Sequence, residues 1–300
     1  NVRVEIIDEN NCRGVERDNN GFLNHQKLQQ KRPASVVGFY CGLSSTMPRV
    51  WDLAEFYKSQ GVFTIAGSWH AHYLPEESLR QKIDVVVHGD GEAVIKKMLS
   101  ILIETGFSKD SISDIPGISF LENERMKTNP AFRVADLNRL PYPNFGLLRN
   151  ARIKIYPIGR IRGCSKRCEF CSVRNDSPRW ASAQNLFETI RFLRESRSAK
   201  EFFIVDDNTG ERKNREETIE AFCLIAKEYG SSLWIIVQIG LESAKDAELL
   251  DAMKKAGVRE VCIGYESPID EELKAMRKGY SSADMLKWTK IYHQFGFLIH

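Results

Sequence analysis

The chain has 300 residues, with 43 Lys and Arg against 40 Asp and Glu, and a net charge of +3 gives nucleic acid no strong electrostatic claim on it. No apolar run reaches the roughly 18 residues of a membrane span, and the opening NVRVEIIDEN lacks the basic start and apolar stretch of a secretory signal. Seven cysteines, three clustered and four scattered (Cys12, Cys41, Cys223, Cys262), look unlike a secreted disulfide framework, and a reducing, cytoplasmic setting follows.

Short apolar runs alternate with longer stretches of helical character, which predicts α/β architecture with parallel strands. In the first part, strands are expected at residues 2–7, 35–40, 62–66 and 84–88, and helices at 49–60, 76–81 and 91–105. Such a chain forms a doubly wound, Rossmann-like sheet whose ligand site lies beyond the strand carboxyl ends. Those ends carry Asp8, then residues 41–46, 67–72 and 89–92. From residue 115 to 150 the pattern loosens: Pro116, Pro130, Pro141 and Pro143 mark a connector with a small hairpin at 117–127. The expected domains are residues 1–125, a linker at 126–150, and residues 151–300.

The second half restarts the alternation, with strands at 153–158, 201–205, 233–238, 260–264 and 297–299 and helices at 183–195, 215–229, 245–255 and 282–293. Strands recurring about every 30 residues fit successive β/α units of a partial TIM-like barrel, which collects its functional groups at the strand carboxyl ends. Cys164, Asp206, Gln238 and Glu266 fall at such ends. The first residue is not Met and His300 closes an apolar run, so the sequence reads as part of a longer polypeptide.

The most informative feature is the C-x3-C-x2-C run of Cys164, Cys168 and Cys171, in the loop after the first strand of this half. Three thiolates in one loop can hold three irons of a 4Fe-4S cube and leave the fourth iron without a protein ligand. A structural zinc site would need a fourth ligand from a distant Cys or His. Cys41 and Cys262, in apolar runs, and Cys223, in a helical pattern, read as core.

With Phe170 before the last cysteine, this run resembles the signature of the radical S-adenosylmethionine (SAM) enzymes. The resemblance extends to FFIVDDN (202–208), CIGYESP (262–268) and LKAMRKG (273–279), and covers about half of the chain. It implies a (β/α)6 barrel, of which this chain reaches the fifth strand. It also implies a 4Fe-4S cluster on Cys164, Cys168 and Cys171, with SAM chelating the open iron and being cleaved by one electron to a 5'-deoxyadenosyl radical. An electron donor such as flavodoxin or ferredoxin follows. By position, Phe170 would lie beside the adenine, Asp206 and Asp207 would face the SAM amino group or the substrate, and Gln238 and Glu266 would meet the ribose. Asp206-Asp207-Asn208 stands where the family often has Gly-Gly-Glu. Arg160, Arg162 and Arg167 would counter the cluster's charge.

Upstream, AGSWHAHYLPEE (66–77) and VVVHGDGEAV (85–94), with the strand spacing and the cysteine run, resemble the cobalamin-binding domain of one large radical SAM class. The resemblance implies that Ser44, Ser45 and Thr46 line a pocket for the corrinoid's nucleotide tail. Gly67 and Ser68 would allow close approach, and Gly89, Gly91 and Glu92 would close the rim. His70 and His72 form an H-x-H pair on a loop, a spacing that could suit a metal; with no acid or cysteine cluster beside them, a hydrogen bond to the cofactor or a backbone group is expected instead of direct metal ligation. The D-x-H-x-x-G pattern of histidine-on cobalt is absent. That class usually carries a further strand and helix ahead of residues 2–7.

The function implied is a cobalamin-dependent radical SAM enzyme, a methyltransferase acting on an unactivated carbon of a small-molecule substrate. Cyclisation or rearrangement, with or without cobalamin, remains open, as does a non-catalytic iron-sulfur or zinc protein. No catalytic residue beyond the cofactor ligands is assigned.

Overall fold

The computed structural model describes residues 2–173 and 176–300. The chain divides into two compact units, one of Gly14–Ala135 and the other of Asn1–Arg13 with Asp136–His300. Among the described residues no helix is long and apolar enough to cross a membrane.

The first unit runs α1 (His25–Lys31), β1 (Val36–Tyr40), α2 (Met47–Ser59), β2 (Phe63–Gly67), α3 (Trp69–Tyr73), α4 (Pro75–Arg80), β3 (Val85–Val87), α5 (Gly91–Glu104) and the hairpin β4 (Ile118–Glu122) and β5 (Arg125–Thr128). The sheet order is β1-β2-β3-β4-β5, with β1, β2 and β3 parallel and the hairpin added antiparallel to β3. Side chains alternate between its faces. Phe63, Ile65, Val85 and Val87 meet Val94, Met98 and Leu102 of α5, while Ala66 and Val86 meet Met47, Val50 and Ala54 of α2. Helices on both faces are why these strands read as continuous apolar runs rather than alternating ones. Each large aliphatic side chain so buried contributes roughly 1.5–3 kcal/mol.

At the opposite end of this sheet from its carboxyl-end loops, Asp84 is 1% exposed and accepts from Lys58 Nζ (2.6 Å), Lys109 Nζ (2.8 Å) and the Thr64 amide (3.0 Å). Burial alone would push this carboxyl up, but the two ammonium groups and the amide outweigh it and hold it below the ordinary value.

The second unit contains β6 (Ile155–Ile158), the short pair β7 (Ile161–Arg162) and β8 (Arg179–Trp180), α6 (Ala183–Arg197), β9 (Glu201–Ile204), α7 (Arg215–Tyr229), β10 (Trp234–Gln238), α8 (Ala247–Lys255), β11 (Val258–Cys262), α9 (Asp270–Ala275), α10 (Ser282–Gln294) and β12 (Leu298–Ile299). The order β12-β11-β10-β9-β6 is parallel throughout, so the chain returns between strands through helices. Leu186, Ile190 and Leu193 of α6, Phe222 and Ile225 of α7, Leu250 and Met253 of α8, and Trp288 and Tyr292 of α10 share one core with the strands. Ile155, Trp234 and Leu298, exposed on their strands, alternate with buried neighbours. Parallel strands in sequential β/α units, packed in one helix-covered core, form the segment of a barrel that the sequence pattern predicts.

Two local expectations fail. Residues 2–7 join no sheet; the described part of this segment stays extended, Val2, Val4, Ile6 and Ile7 remain exposed, and the Ile6 amide donates to Leu147 O (3.0 Å) within the second unit. Alternating apolar residues make a strand only where a neighbouring edge pairs with them. Cys223 is exposed, because the buried stripe of α7 runs through Thr218, Ala221, Phe222 and Ile225 and leaves position 223 on the solvent side. Cys41 is fully buried, and that burial pushes its thiol up to about 11; Cys262 is half-buried.

Candidate functional site: a braced cysteine loop

The loop after β6 carries all three clustered cysteines, and its base is closed by the β7–β8 ladder pairing Ile161 with Trp180 and Arg162 with Arg179. Gly163, at φ +86°, immediately precedes Cys164; a Cβ there would stand 2.5 Å from Asp176 O, so only glycine fits. The Cys164 amide donates to Asp176 O (3.0 Å) and the Cys171 amide to Cys168 O (3.1 Å). Cys168 is buried, Cys164 and Cys171 are half-buried, and all three are free thiols.

A long loop exposes many backbone N–H groups, and here carboxylates collect them. After β9, Asp206 Oδ1 accepts from the amides of Arg160 (2.5 Å) and Ile161 (2.8 Å), and Asp207 Oδ2 from that of Gly163 (2.6 Å). Farther along the same segment, Glu211 Oε2 accepts from the Ser165 amide (3.1 Å). Asp206 is 1% exposed, and burial raises its carboxyl to about 6 against the lowering pull of those two amides and of Arg160. Burial likewise raises Asp207, with the Gly163 amide opposing. Arg160 is itself buried, its guanidinium donating to Ala181 O (3.0 Å) and Thr218 Oγ1 (2.5 Å); it ties down the base of the loop from inside the protein.

The neighbouring strand ends reach the same loop. After β10, Glu242 pairs with Lys166, which lies between the first two cysteines (2.5 Å), and Gln238 donates to Asp206 O (3.2 Å). After β11, Glu266 pairs with Lys278 (3.2 Å), whose ammonium lies 5.5 Å from the centre of the Phe170 ring. The Glu169 amide donates to Met276 O (3.2 Å), and Arg277 pairs with Glu169 (2.9 Å). Glu266 and Arg277 hold φ of +68° and +56°, strain of the kind that persists where surrounding structure fixes it.

The residues Phe170, Asp206, Asp207, Gln238 and Glu266 therefore stand at one end of the strands with the cysteines. Phe170 is 55% exposed, with the Lys278 ammonium over its ring; the two aspartates turn to the loop's own backbone. Glu211, Lys166, Glu242 and Lys278 escape sequence reasoning. The spacing Asp-Asp-Asn-x-x-Glu after a strand is the one local signal for Glu211.

Three reduced thiols on a glycine-hinged, amide-braced loop fit an iron-sulfur cluster, which takes thiolates one per iron. Among the described residues no three His, Cys, Asp or Glu side chains are grouped to share a single metal ion. Burial raises the Cys164 thiol, with the Lys166 amide opposing.

In the first unit the candidate residues lie beyond β1, β2 and β3. Ser44, Ser45 and Thr46 form an exposed 3-10 turn. Ser44 Oγ meets His70 Nδ1 (2.9 Å), while the Thr46 hydroxyl donates to Leu43 O (2.8 Å) within its own turn. Ser68, after Gly67, holds φ +84° at the start of α3. His70 and His72, expected on a loop, lie on α3; the His70 side chain is 7% exposed and stands 3.4 Å from Glu77. Gly89 has φ +73°, and a Cβ there would collide with Phe132 O, so its own chain already requires the glycine. Gly91 opens α5, with Glu92 exposed in its first turn.

A β/α half-barrel with an iron-sulfur loop at its strand ends defines the class. Residues 158–299 match the Radical SAM superfamily, so this part of the chain is a radical SAM domain, which implies a 4Fe-4S cluster and SAM. It is 25% identical over 288 residues to an uncharacterized methyltransferase of Pyrococcus horikoshii, covering 92% of this chain and 61% of that one. It is 28% identical over 274 residues to a hopanoid C-3 methylase of Methylococcus capsulatus, covering 85% and 50%. Its fold matches the radical SAM methyltransferase TsrM of Kitasatospora setae (TM-score 0.75, 15% identity, 91% of this chain and 57% of that one). It also matches the cobalamin-dependent radical SAM enzyme OxsB (TM-score 0.72, 17% identity, 92% and 41%). The chain spans about half the length of most curated relatives it matches.

Proposed function

We propose that this chain is the cofactor-binding part of a cobalamin-dependent radical SAM methyltransferase acting on an unactivated carbon of a small molecule. The observation that carries the reading is the combination, in one chain, of the braced cysteine loop and a separate parallel sheet whose carboxyl ends bear Ser44, Ser68, His70 and Gly89. Supporting it, the relatives are named as methyltransferases or methylases in several cases, and TsrM and OxsB share the fold. When bound, the cluster with SAM supplies a radical able to take hydrogen from carbon, and the corrinoid supplies the methyl group.

The chain's own residues do the placing. Cys164, Cys168 and Cys171 hold three irons, and Asp206, Asp207 and Glu211 hold the loop that presents them. Phe170 offers a flat apolar face to the adenine, and Gln238 and Glu266 offer polar groups for SAM at the ends of β10 and β11. Ser44, Ser45, Thr46, Gly67, Ser68, His70, Gly89, Gly91 and Glu92 form the corrinoid side. Exposed Arg167 on the cysteine loop suits an acidic electron donor of the flavodoxin or ferredoxin kind. Seven free thiols support a reducing cytoplasm.

The test is anaerobic purification of the full-length protein, identification of bound cofactors by absorption and mass spectrometry, and assay with SAM carrying a deuterated methyl group. Iron, corrinoid, 5'-deoxyadenosine and a deuterated product are expected; iron without corrinoid, even after reconstitution, overturns the cobalamin part. A second reading, cyclisation, is favoured by relatives named as anaerobic magnesium-protoporphyrin IX monomethyl ester cyclase, 24% identical over 284 residues in one case. It predicts 5'-deoxyadenosine with no label in the product.

A further inference from the structure

The two histidines of the H-x-H pair have different partners. His70 faces Ser44 and Glu77. His72 Nδ1 lies 3.1 Å from His88 Nδ1, on the residue that follows β3. From there the contacts continue: His88 Nε2 to Ser119 Oγ at 2.7 Å, and Ser119 Oγ to Thr128 Oγ1 at 2.7 Å. His88 and Ser119 are 4% and 0% exposed, whereas Thr128 is exposed on the hairpin and His72 is half-buried beyond the end of β2. Rings packed on His72 include those of Trp69 and Tyr73 from its own helix and His88 from the strand end. Burial, then the neighbouring His72, lowers His88 to about 4, so His88 is neutral at ordinary pH and carries one ring proton.

We propose that Thr128, Ser119, His88 and His72 form a proton relay that makes His72 the proton donor and acceptor of the sheet's carboxyl-end ligand site. The proposal rests on the reading of that site as a corrinoid site. A neutral His88 must donate at one ring nitrogen and accept at the other. With its proton on Nδ1, it donates to His72 Nδ1, accepts from Ser119, and leaves the His72 proton on Nε2. When His72 gives up that Nε2 proton, His88 passes its Nδ1 proton to His72 and takes one at Nε2 from Ser119. Ser119 takes one from Thr128, and Thr128 takes one from water. One proton leaves at His72, one enters at Thr128, and no buried group gains charge.

The relay is tested in corrinoid-free full-length protein with nitrogen-15 histidine, by reading which ring nitrogen carries the proton as pH is varied. The expected result is that His88 stays neutral but exchanges its protonated nitrogen as His72 titrates. Charging of His88, or one fixed tautomer throughout, overturns the relay. Ser119→Ala removes the acceptor for His88 Nε2–H and should abolish the exchange and weaken the proton affinity of His72 about tenfold. Ser119→Thr should keep both, and an exchange that survives Ser119→Ala overturns the proposal. With hydroxocobalamin added, the pH midpoint of the bound corrinoid's absorption should move in Ser119→Ala; a bound corrinoid with an unmoved midpoint refutes the service to that site. Failure to bind hydroxocobalamin refutes the corrinoid assignment, while the histidine spectra still decide the relay.

Discussion

The two units place candidate ligand groups beyond the carboxyl ends of parallel strands, yet they fix them by different means. In the half-barrel the cysteines ride on a long loop, and three carboxylates from the segment after β9 gather its amides. In the sheet unit the loops are short, and position comes from the positive-φ turns at Ser68 and Gly89 and from side-chain chains such as Ser44–His70 and His72–His88. A long loop leaves more backbone to satisfy and needs acceptors from outside itself; a short one is held by its ends.

The difference can be broken at chosen points. The largest effect is expected from Cys164→Ala, Cys168→Ala or Cys171→Ala, each abolishing the reconstituted cluster and 5'-deoxyadenosine formation while Cys41→Ala retains both; equal loss in all four would contradict the assignment. Next, Asp84→Ala leaves the buried Thr64 amide without its side-chain acceptor and removes the partner of Lys58 and Lys109, and should cost about 1–3 kcal/mol in the sheet unit. Thermal melting reads that loss, and iron content in the half-barrel should be kept. Because the native state holds Asp84 below its unfolded value, its stabilisation is present above the unfolded value and fades as pH falls through the native one.

Gly163→Ala sets a Cβ against Asp176 O at positive φ and should cost roughly 2–3 kcal/mol locally, seen as lost iron. Gly91→Ala, whose Cβ would meet Val87 Cγ1 at 3.8 Å, should leave melting within about 0.5 kcal/mol. Glu211→Ala frees the Ser165 amide and should weaken iron retention several-fold, through about 1–2 kcal/mol of loop stability. The last effect concerns Asp206 and is read as a pH slope. Raised to about 6, it makes the native state hold more protons than the unfolded chain, so stability falls as pH rises from about 4 to 6. Asp206→Asn keeps the acceptor oxygen and should flatten that slope in chemical denaturation; an unchanged slope would show that another group causes it.

Much of this was legible in the residues. Val85–Val87 announces itself as a strand because burial on both faces demands an apolar run, Trp234–Gln238 because its β-branched and aromatic residues suit a strand, and the C-x3-C-x2-C spacing announces the cluster loop because the thiols must come from one short segment. Residues 2–7 mislead because an apolar alternation cannot say whether an edge is there to receive it. Cys223 misleads because one step around a helix separates core from solvent.

The sequence by itself determined the class of chemistry, through the cysteine spacing, and the α/β alternation that carries it, since both are properties of neighbours in the chain. Tertiary structure decided what the acids and histidines do. Asp206, Asp207 and Glu211 brace amides more than 40 residues away, and His72 meets His88, Ser119 and Thr128 across strand ends, because hydrogen bonds are fixed by distance in space.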